Sequence, residues 1–241
     1  MDTSGNTVLV TGGATGIGFA LAEALVNRGN RVVICGRRVE RLRAAKKRIP
    51  ALHIRVCDVS TRASRESLAR WVTFRFPSLN VLVNNAGIQR VVDFRKGGRD
   101  LPHVDAELAT NLAAPMHLSA LLVPHLRKRK PAAIVNISSG LAFTPVAVVP
   151  VYCATKAAIH SFTLSLRHQL RDTTVRVFEV APPIVDTELS RRRDRPPGTM
   201  SAQQVAAGIL DALQRDTPEV ALGLAANLHM QREALFSVIN D

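Results

Sequence analysis

The chain is short of the residues that would place it in several common classes. Its three cysteines, Cys35, Cys57 and Cys153, are an odd number without C-x-x-C spacing, which argues against a disulfide framework or a cysteine-based zinc site and leaves reduced, mostly buried thiols. The seven histidines show no i, i+4 pairing and no cysteine partnership, so no metal site is expected. Aromatic residues make up 4%, with one Trp and one Tyr. That is too few for the stacking platforms of a single-strand binder, and no zinc-finger, basic-zipper or RNP pattern occurs. No uncharged apolar run reaches the roughly 18 residues of a membrane span. MDTSGN leads directly into a β-rich TVLVT, without the basic and then apolar stretches of a secretory leader. The expectation is a cytoplasmic protein with neither membrane nor nucleic acid as partner. Internal repeats, linkers and low-complexity blocks are also missing, so residues 1–241 are read as one domain.

What is present is charge and regular alternation. The formal net charge of +13 is clustered at Arg37 to Arg48, Arg127 to Lys130 and Arg191 to Arg195, which fits a solvated basic surface that attracts small anions. Apolar residues make up 46%, enough for a substantial core. Strand-like runs occur at Thr7–Thr11, Arg31–Cys35, Leu52–Val56, Asn80–Val83, Ala132–Ile137, Val175–Val180 and Glu219–Leu222. Helical spacing separates them at Gly16–Arg28, the segment ending at Ile49, Ser60–Phe76, His103–Arg129, Tyr152–Asp172 and Ser201–Gln214. The long fourth helix of this series is expected to be interrupted near Asn111 and Pro115. Strands and helices in alternation imply an α/β protein. Its fold is a single-domain Rossmann fold, a doubly wound and mostly parallel seven-stranded sheet with helices on both faces.

The chemistry-bearing positions fall at the carboxyl ends of these strands. After the first strand comes TGGATGIG, with Gly12, Gly16 and Gly18 as side-chain-free positions where backbone can approach a pyrophosphate at a helix start. After the second strand, where an NAD-binding unit carries a carboxylate for the ribose, the chain has Arg37 and Arg38, suited to a 2′-phosphate. NADP(H) is therefore preferred over NAD(H), although the two arginines also open a basic helix. Asp58 has two open uses, accepting from an adenine amino group or capping the following helix. Asn84-Asn85-Ala86-Gly87 ends the fourth strand. Ser138 and Ser139 end the fifth, thirteen positions before Tyr152. Tyr152 and Lys156 are four apart and share a helix face. A free tyrosine titrates near about 10, and a nearby ammonium stabilises its phenolate, which suits it to proton transfer near neutrality.

Together, TGGATGIG, Cys57-Asp58-Val59, NNAG, Asn111, Ser139 and the Tyr152-x-x-x-Lys156 pair resemble the short-chain dehydrogenase/reductase superfamily, in order from residue 7 to about 190. The arginine pair after Gly36, YCATKAAIHSF and VAPPIVDT resemble its DltE-like bacterial oxidoreductases. The resemblance implies an NADP-dependent oxidoreductase that transfers a hydride between NADP(H) and an alcohol or carbonyl substrate. By position, Tyr152 is then the proton donor or acceptor, Lys156 lowers its pKa and binds the nicotinamide ribose, Ser139 orients the reacting oxygen, and Asn111 holds a water in a proton relay. Gly12, Thr15, Gly16, Ile17 and Gly18 enclose the pyrophosphate, while Arg37 and Arg38 hold the 2′-phosphate. Asp58 and Val59 flank the adenine, and Asn85, Ala86 and Gly87 lie on the adenosine side. Pro182, Val185 and Thr187 lie at the nicotinamide.

Two departures qualify this. Pro182-Pro183 replaces the superfamily's usual Pro-Gly, removing an N–H near the nicotinamide. EVALGLAANL replaces the usual T-G-Q and D-G-G signature near the last strand, so a homodimer is expected before a homotetramer. The alternative reading is a non-catalytic dinucleotide-binding redox sensor or scaffold. The substrate pocket is expected from Val91 to Arg99, Leu141 to Val149 and a lid at about residues 188–200.

Overall fold

The computed structural model describes residues 1–189 and 197–240. Its strands are β1 (Thr7–Thr11), β2 (Arg31–Gly36), β3 (His53–Val56), β4 (Val81–Asn84), β5 (Ala132–Ile137), β6 (Val175–Ala181) and β7 (Glu219–Ala221). They form one sheet in the order β3-β2-β1-β4-β5-β6-β7, and every pairing is parallel. The connecting helices are α1 (Gly16–Asn27), α2 (Val39–Arg48), α3 (Arg62–Arg75), α4 (Leu101–Glu107), α5 (Ala114–Leu126), α6 (Pro150–Gln169), α7 (Ala202–Arg215), α8 (Ala225–Gln231) and α9 (Phe236–Asn240).

The central strands are apolar on both faces because helices cover both faces. Val8, Val10, Ile34, Val83, Val135 and Phe178 pack into one layer with α1, α2 and α7. Their neighbours Leu9, Val33, Leu82, Ile134 and Val177 pack into the other with α3, α5 and α6. Leu9, Ile34 and Leu82 are wholly buried, and truncating such a side chain to Ala costs about 2–5 kcal/mol. The crossover direction reverses between β1 and β4, which opens a crevice at their carboxyl ends. Among the described residues no helix is long and apolar enough to cross a membrane.

Local boundaries differ from expectation where side chains compete with the backbone. The helix expected from Ser60 begins at Arg62, because Thr61 is its N-cap and accepts from the Ser64 N–H at 3.4 Å. Asp58 therefore does not cap it; its carboxylate accepts from the N–H (3.0 Å) and Oγ (2.7 Å) of Ser60, closing the preceding turn. The segment before the fourth helix contains a 3-10 segment at Phe94–Asp100, and α4 starts at Leu101 rather than at the expected His103. The expected interruption near Asn111 is a π-helical turn, Leu108–Ala113, that joins α4 to α5 without breaking the axis. Pro115, which has no N–H to donate back into the preceding turn, comes just after this π turn.

Candidate active site

At the crevice lies a cleft of about 800 Å³, within the size range of small-molecule sites. Its floor is the β1–α1 turn. Gly12 has φ +63°, and a Cβ there would lie 2.9 Å from the Ala86 backbone. Gly18 faces the turn itself: a Cβ would lie 2.6 Å from the Gly12 carbonyl oxygen and 2.5 Å from Asn85 Nδ2. Thr15 precedes α1 without a side-chain cap, which leaves first-turn N–H groups to an anion. Gly16, at φ +55°, packs against Thr187, so the turn and the segment after β6 meet at the cleft.

The turn is latched to β4 through Thr11, which the sequence reading did not single out. Thr11 Oγ1 accepts from the N–H groups of Asn85 (3.0 Å) and Ala86 (3.1 Å) and donates to the Val83 carbonyl at 3.2 Å. Asn85 Nδ2 returns a hydrogen bond to the Thr11 carbonyl at 2.9 Å. Asn84 bonds Asn136 Oδ1 at 2.9 Å, and Asn136 in turn donates to Thr163 Oγ1 at 2.9 Å. Asn84 is thus a buried polar staple between strands, and the half-buried Asn85 ties the loop after β4 to the β1–α1 turn. Gly13, the other glycine of the turn, leaves room for Ile34, whose Cγ2 would lie 2.5 Å from an added Cβ.

Arg37 and Arg38 line the cleft mouth beside Asp58 and Val59. Arg38 is occupied: its Nη1 pairs with Glu188 at 2.8 Å, and Arg41 holds the other oxygen of the same carboxylate at 2.7 Å. Arg37 has no ion pair among the described residues. Burial raises the Asp58 pKa, but the Ser60 hydrogen bonds and the Arg37 charge outweigh it and hold the carboxyl below its usual range. Arg65 is the unexpected member of this region. It is buried, and its Nη1 donates to the Val59 (2.7 Å) and Ser60 (3.0 Å) carbonyls, fixing the Asp58–Val59 turn from beneath.

The candidate chemical groups converge at the inner end. Ser139 follows β5 by two residues and accepts from the Leu141 N–H at 3.1 Å, an arrangement that leaves its own O–H to donate. Tyr152 and Lys156 come from the first turns of α6 and line the same cleft. Lys156 Nζ donates to the Ile137 carbonyl at 2.8 Å and lies 5.6 Å from the Tyr152 ring centroid. Burial pushes the Lys156 ammonium down to about 8, against the opposing pull of the Glu179 charge. The lysine is therefore charged at neutral pH and loses that charge in mild base. Asn111 is placed differently. Its Oδ1 accepts from the Ile88 N–H (2.9 Å), and its Nδ2 donates to the Ile88 carbonyl (2.8 Å) and Thr155 Oγ1 (3.3 Å). Both amide hydrogens are spent on protein, and the side chain lies behind the cleft wall. Of the expected catalytic and cofactor-binding residues, only Gly18 and Asn111 are absent from the lining.

The outer wall departs from expectation. None of Val91 to Arg99 lines the cleft; Ile88, Gln89 and Arg90 do. The opposing apolar wall comes from Leu141 and Val146 of the expected loop and from the C-terminal Leu224, Leu228 and Ile239. Gly140 allows this, since a Cβ there would lie 2.8 Å from that of Ala225 in α8. Asn240 pins the far end by donating to the Pro145 carbonyl at 3.1 Å. Leu189, Pro197, Gly198 and Thr199 of the expected lid line the cleft, and residues 190–196 lie outside the described residues. Val185 forms a parallel bridge with Met200, and Pro182 accepts from the Gly140 N–H at 2.9 Å.

A family model described as short chain dehydrogenase matches residues 6–197. The chain belongs to the short-chain dehydrogenase family. Within it, this dehydrogenase is 52% identical over 224 residues to the oxidoreductase DltE of Bacillus subtilis (strain 168), covering 91% of this chain and 89% of that protein. It is 32% identical over 188 residues to the NADP-dependent 3-hydroxy acid dehydrogenase YdfG of Escherichia coli (strain K12), covering 77% and 75% of the two chains. Among solved structures it resembles a short chain dehydrogenase from Burkholderia cenocepacia J2315 in complex with NADP, with a TM-score of 0.85 and 28% identity over 96% of this chain and 94% of that one. The seven-stranded architecture and the DltE-like subgroup expected from the sequence are both supported.

Proposed function

We propose that this short-chain dehydrogenase uses NADP(H) to interconvert an alcohol and a carbonyl, with Tyr152 as the proton donor and acceptor. The observation that carries the reading is the convergence of Ser139, Tyr152 and Lys156 on one cleft whose floor is a glycine turn that a single Cβ would fill. The residues fit the dinucleotide. The uncapped start of α1 suits its pyrophosphate, and Arg37 supplies a guanidinium for a 2′-phosphate. The NADP complex of the Burkholderia cenocepacia structure and the NADP dependence of YdfG support the same choice.

When bound, the cofactor supplies or accepts the hydride. Ser139 would donate its hydroxyl hydrogen to the substrate oxygen, and Tyr152 would give that oxygen its proton during reduction. Lys156, charged below pH of about 8, would stabilise the phenolate left behind. With its amide hydrogens engaged, Asn111 would reach a relay water through an oxygen rather than an N–H. The cleft's distal wall, mostly aliphatic with Gln89, Arg90 and Asn227 at its edges, fits a small molecule with an apolar body. A homodimer in the cytoplasm is the assembly and location expected for it.

The test is consumption of NADPH and of NADH against a panel of aldehydes and ketones, with Arg37→Ala alongside. Turnover with NADPH, and a loss in that variant far larger for NADPH than for NADH binding, is expected. Equal losses for both dinucleotides contradict the 2′-phosphate role, and binding without any turnover across the panel favours the sensor.

A further inference from the structure

Behind the candidate catalytic helix lies a second group of side chains that the proposed reaction does not use. His160 of α6 is eight residues after Tyr152 and four after Lys156, on the same helix stripe. Its Nδ1 lies 2.9 Å from Glu179 Oε2 of β6. One ligand atom each from His160, Glu179 and Glu219 of β7 lie within 4.8 Å of one another. His229 Nε2 of α8 is 3.1 Å from Glu219 Oε1. Phe143 packs its ring edge-on to both imidazoles, with centroids 5.0 and 4.4 Å away, and so holds them on one side of the cluster.

Glu179 is the decisive member. It is wholly buried, and its Oε1 has no hydrogen-bond partner, an arrangement that costs free energy unless something supplies positive charge. Two cations are near. Lys156 interacts with Glu179 but spends a hydrogen on the Ile137 carbonyl. Arg167 stands 3.8 Å from Glu219 Oε2 but directs Nε and Nη2 to the Val177 and Pro218 carbonyls. Neither satisfies the open oxygen.

We infer that His160, Glu179 and Glu219 form a binding site for one first-row divalent cation, completed by His229 swinging in from beside Glu219, with zinc the best match to two imidazoles and two carboxylates. Mixed nitrogen and oxygen donors from four elements suit that class, whereas magnesium and calcium favour oxygen alone. The cation would tie α8, which carries Asn227 and Leu228 of the cleft wall, to the edge strand and to the helix of Tyr152. The histidine spacing concealed the site because each ligand comes from a different element.

Full-length protein stripped with EDTA and dialysed would be titrated with zinc chloride by calorimetry and with cobalt chloride by visible absorption. One equivalent per chain should bind, with a four-coordinate cobalt spectrum and a metal-dependent rise in melting temperature. Glu219→Gln and His229→Gln lie at the half-exposed rim and should fold normally by circular dichroism, yet each should weaken zinc binding about tenfold or more. His103→Gln, at an exposed histidine elsewhere, should not. Absence of binding, unchanged affinity in both rim variants, or equal weakening by His103→Gln overturns the site.

Discussion

The two ends of the cleft are constructed differently. At the dinucleotide end, short contiguous stretches do the work: a glycine turn, a pair of arginines and an Asx turn, each delivered by one strand and fixed by the Thr11 and Arg65 side chains. At the substrate end the wall is assembled from segments far apart in sequence: Ile88 to Arg90, the loop after Ser139, and a C-terminal pair of helices that reaches back to Pro145 through Asn240. The first end tolerates little change in backbone shape. The second is held by aliphatic contacts and a few side-chain bonds, and can vary without disturbing the sheet.

Substitutions should expose that contrast. The largest effect belongs where the two ends meet: Lys156→Met should lower turnover about a hundredfold or more. A fall in melting temperature should accompany it, because the change leaves the Ile137 carbonyl without its donor and removes a cation near the buried Glu179. Gly18→Ala comes next. Its methyl would meet the Gly12 carbonyl and Asn85, so the turn must shift; a loss of about 2–3 kcal/mol in chemical denaturation, with weakened NADPH binding, is expected.

Glu107 offers a pH-dependent test of the substrate-side scaffold. It is wholly buried, accepts from the Arg90 N–H, and has one oxygen without a partner. Burial pushes its pKa from an ordinary 4.5 up to about 7, although the Arg90 N–H and charge pull the other way. A carboxyl with a raised folded-state pKa is ionised at a cost. The cost is absent below about pH 4.5, grows through the interval to about pH 7, and is complete above it. Glu107→Gln keeps an acceptor for Arg90 and removes the charge. It should therefore stabilise the fold at pH 8 by on the order of 1–2 kcal/mol and flatten stability between those pH values. Equal effects at pH 4 and pH 8 would contradict the assignment. The smallest change is Leu228→Ala, which trims the apolar wall: KM for aliphatic ketones should rise by up to about tenfold, with NADPH affinity unchanged.

What could be read in advance divides along the same line. All seven strands, the glycine turn and the Tyr152–Lys156 pair were legible because their signals are periodic or contiguous. The buried run Ala132 to Ile137 announces a central parallel strand, and i, i+4 spacing fixes a shared helix face. Asp58 misled because a carboxylate two residues before a serine serves a turn as well as a helix start, and Thr61 took the cap. Val91 to Arg99 were expected in the pocket from their position between β4 and the long helix. The chain turns away there into a 3-10 segment, and α8 takes the place. Nothing local to Leu224, Leu228 or Ile239 signals that fate, since it depends on the close approach that Gly140 permits. Thr11 was missed for a similar reason, since its hydrogen bonds run to backbone atoms of β4 and the loop after it; Arg65 was missed because an arginine in a helix reads as a solvated charge, whereas this one folds back on the turn before α3.

The central claim is that the lone tyrosine moves the proton. Its direct test is steady-state NADPH oxidation by Tyr152→Phe with the best carbonyl substrate, with dinucleotide binding measured separately by fluorescence. The account predicts turnover lowered about a thousandfold with NADPH affinity within about twofold of the parent. Turnover equal to the parent in a variant that still binds NADPH would contradict it.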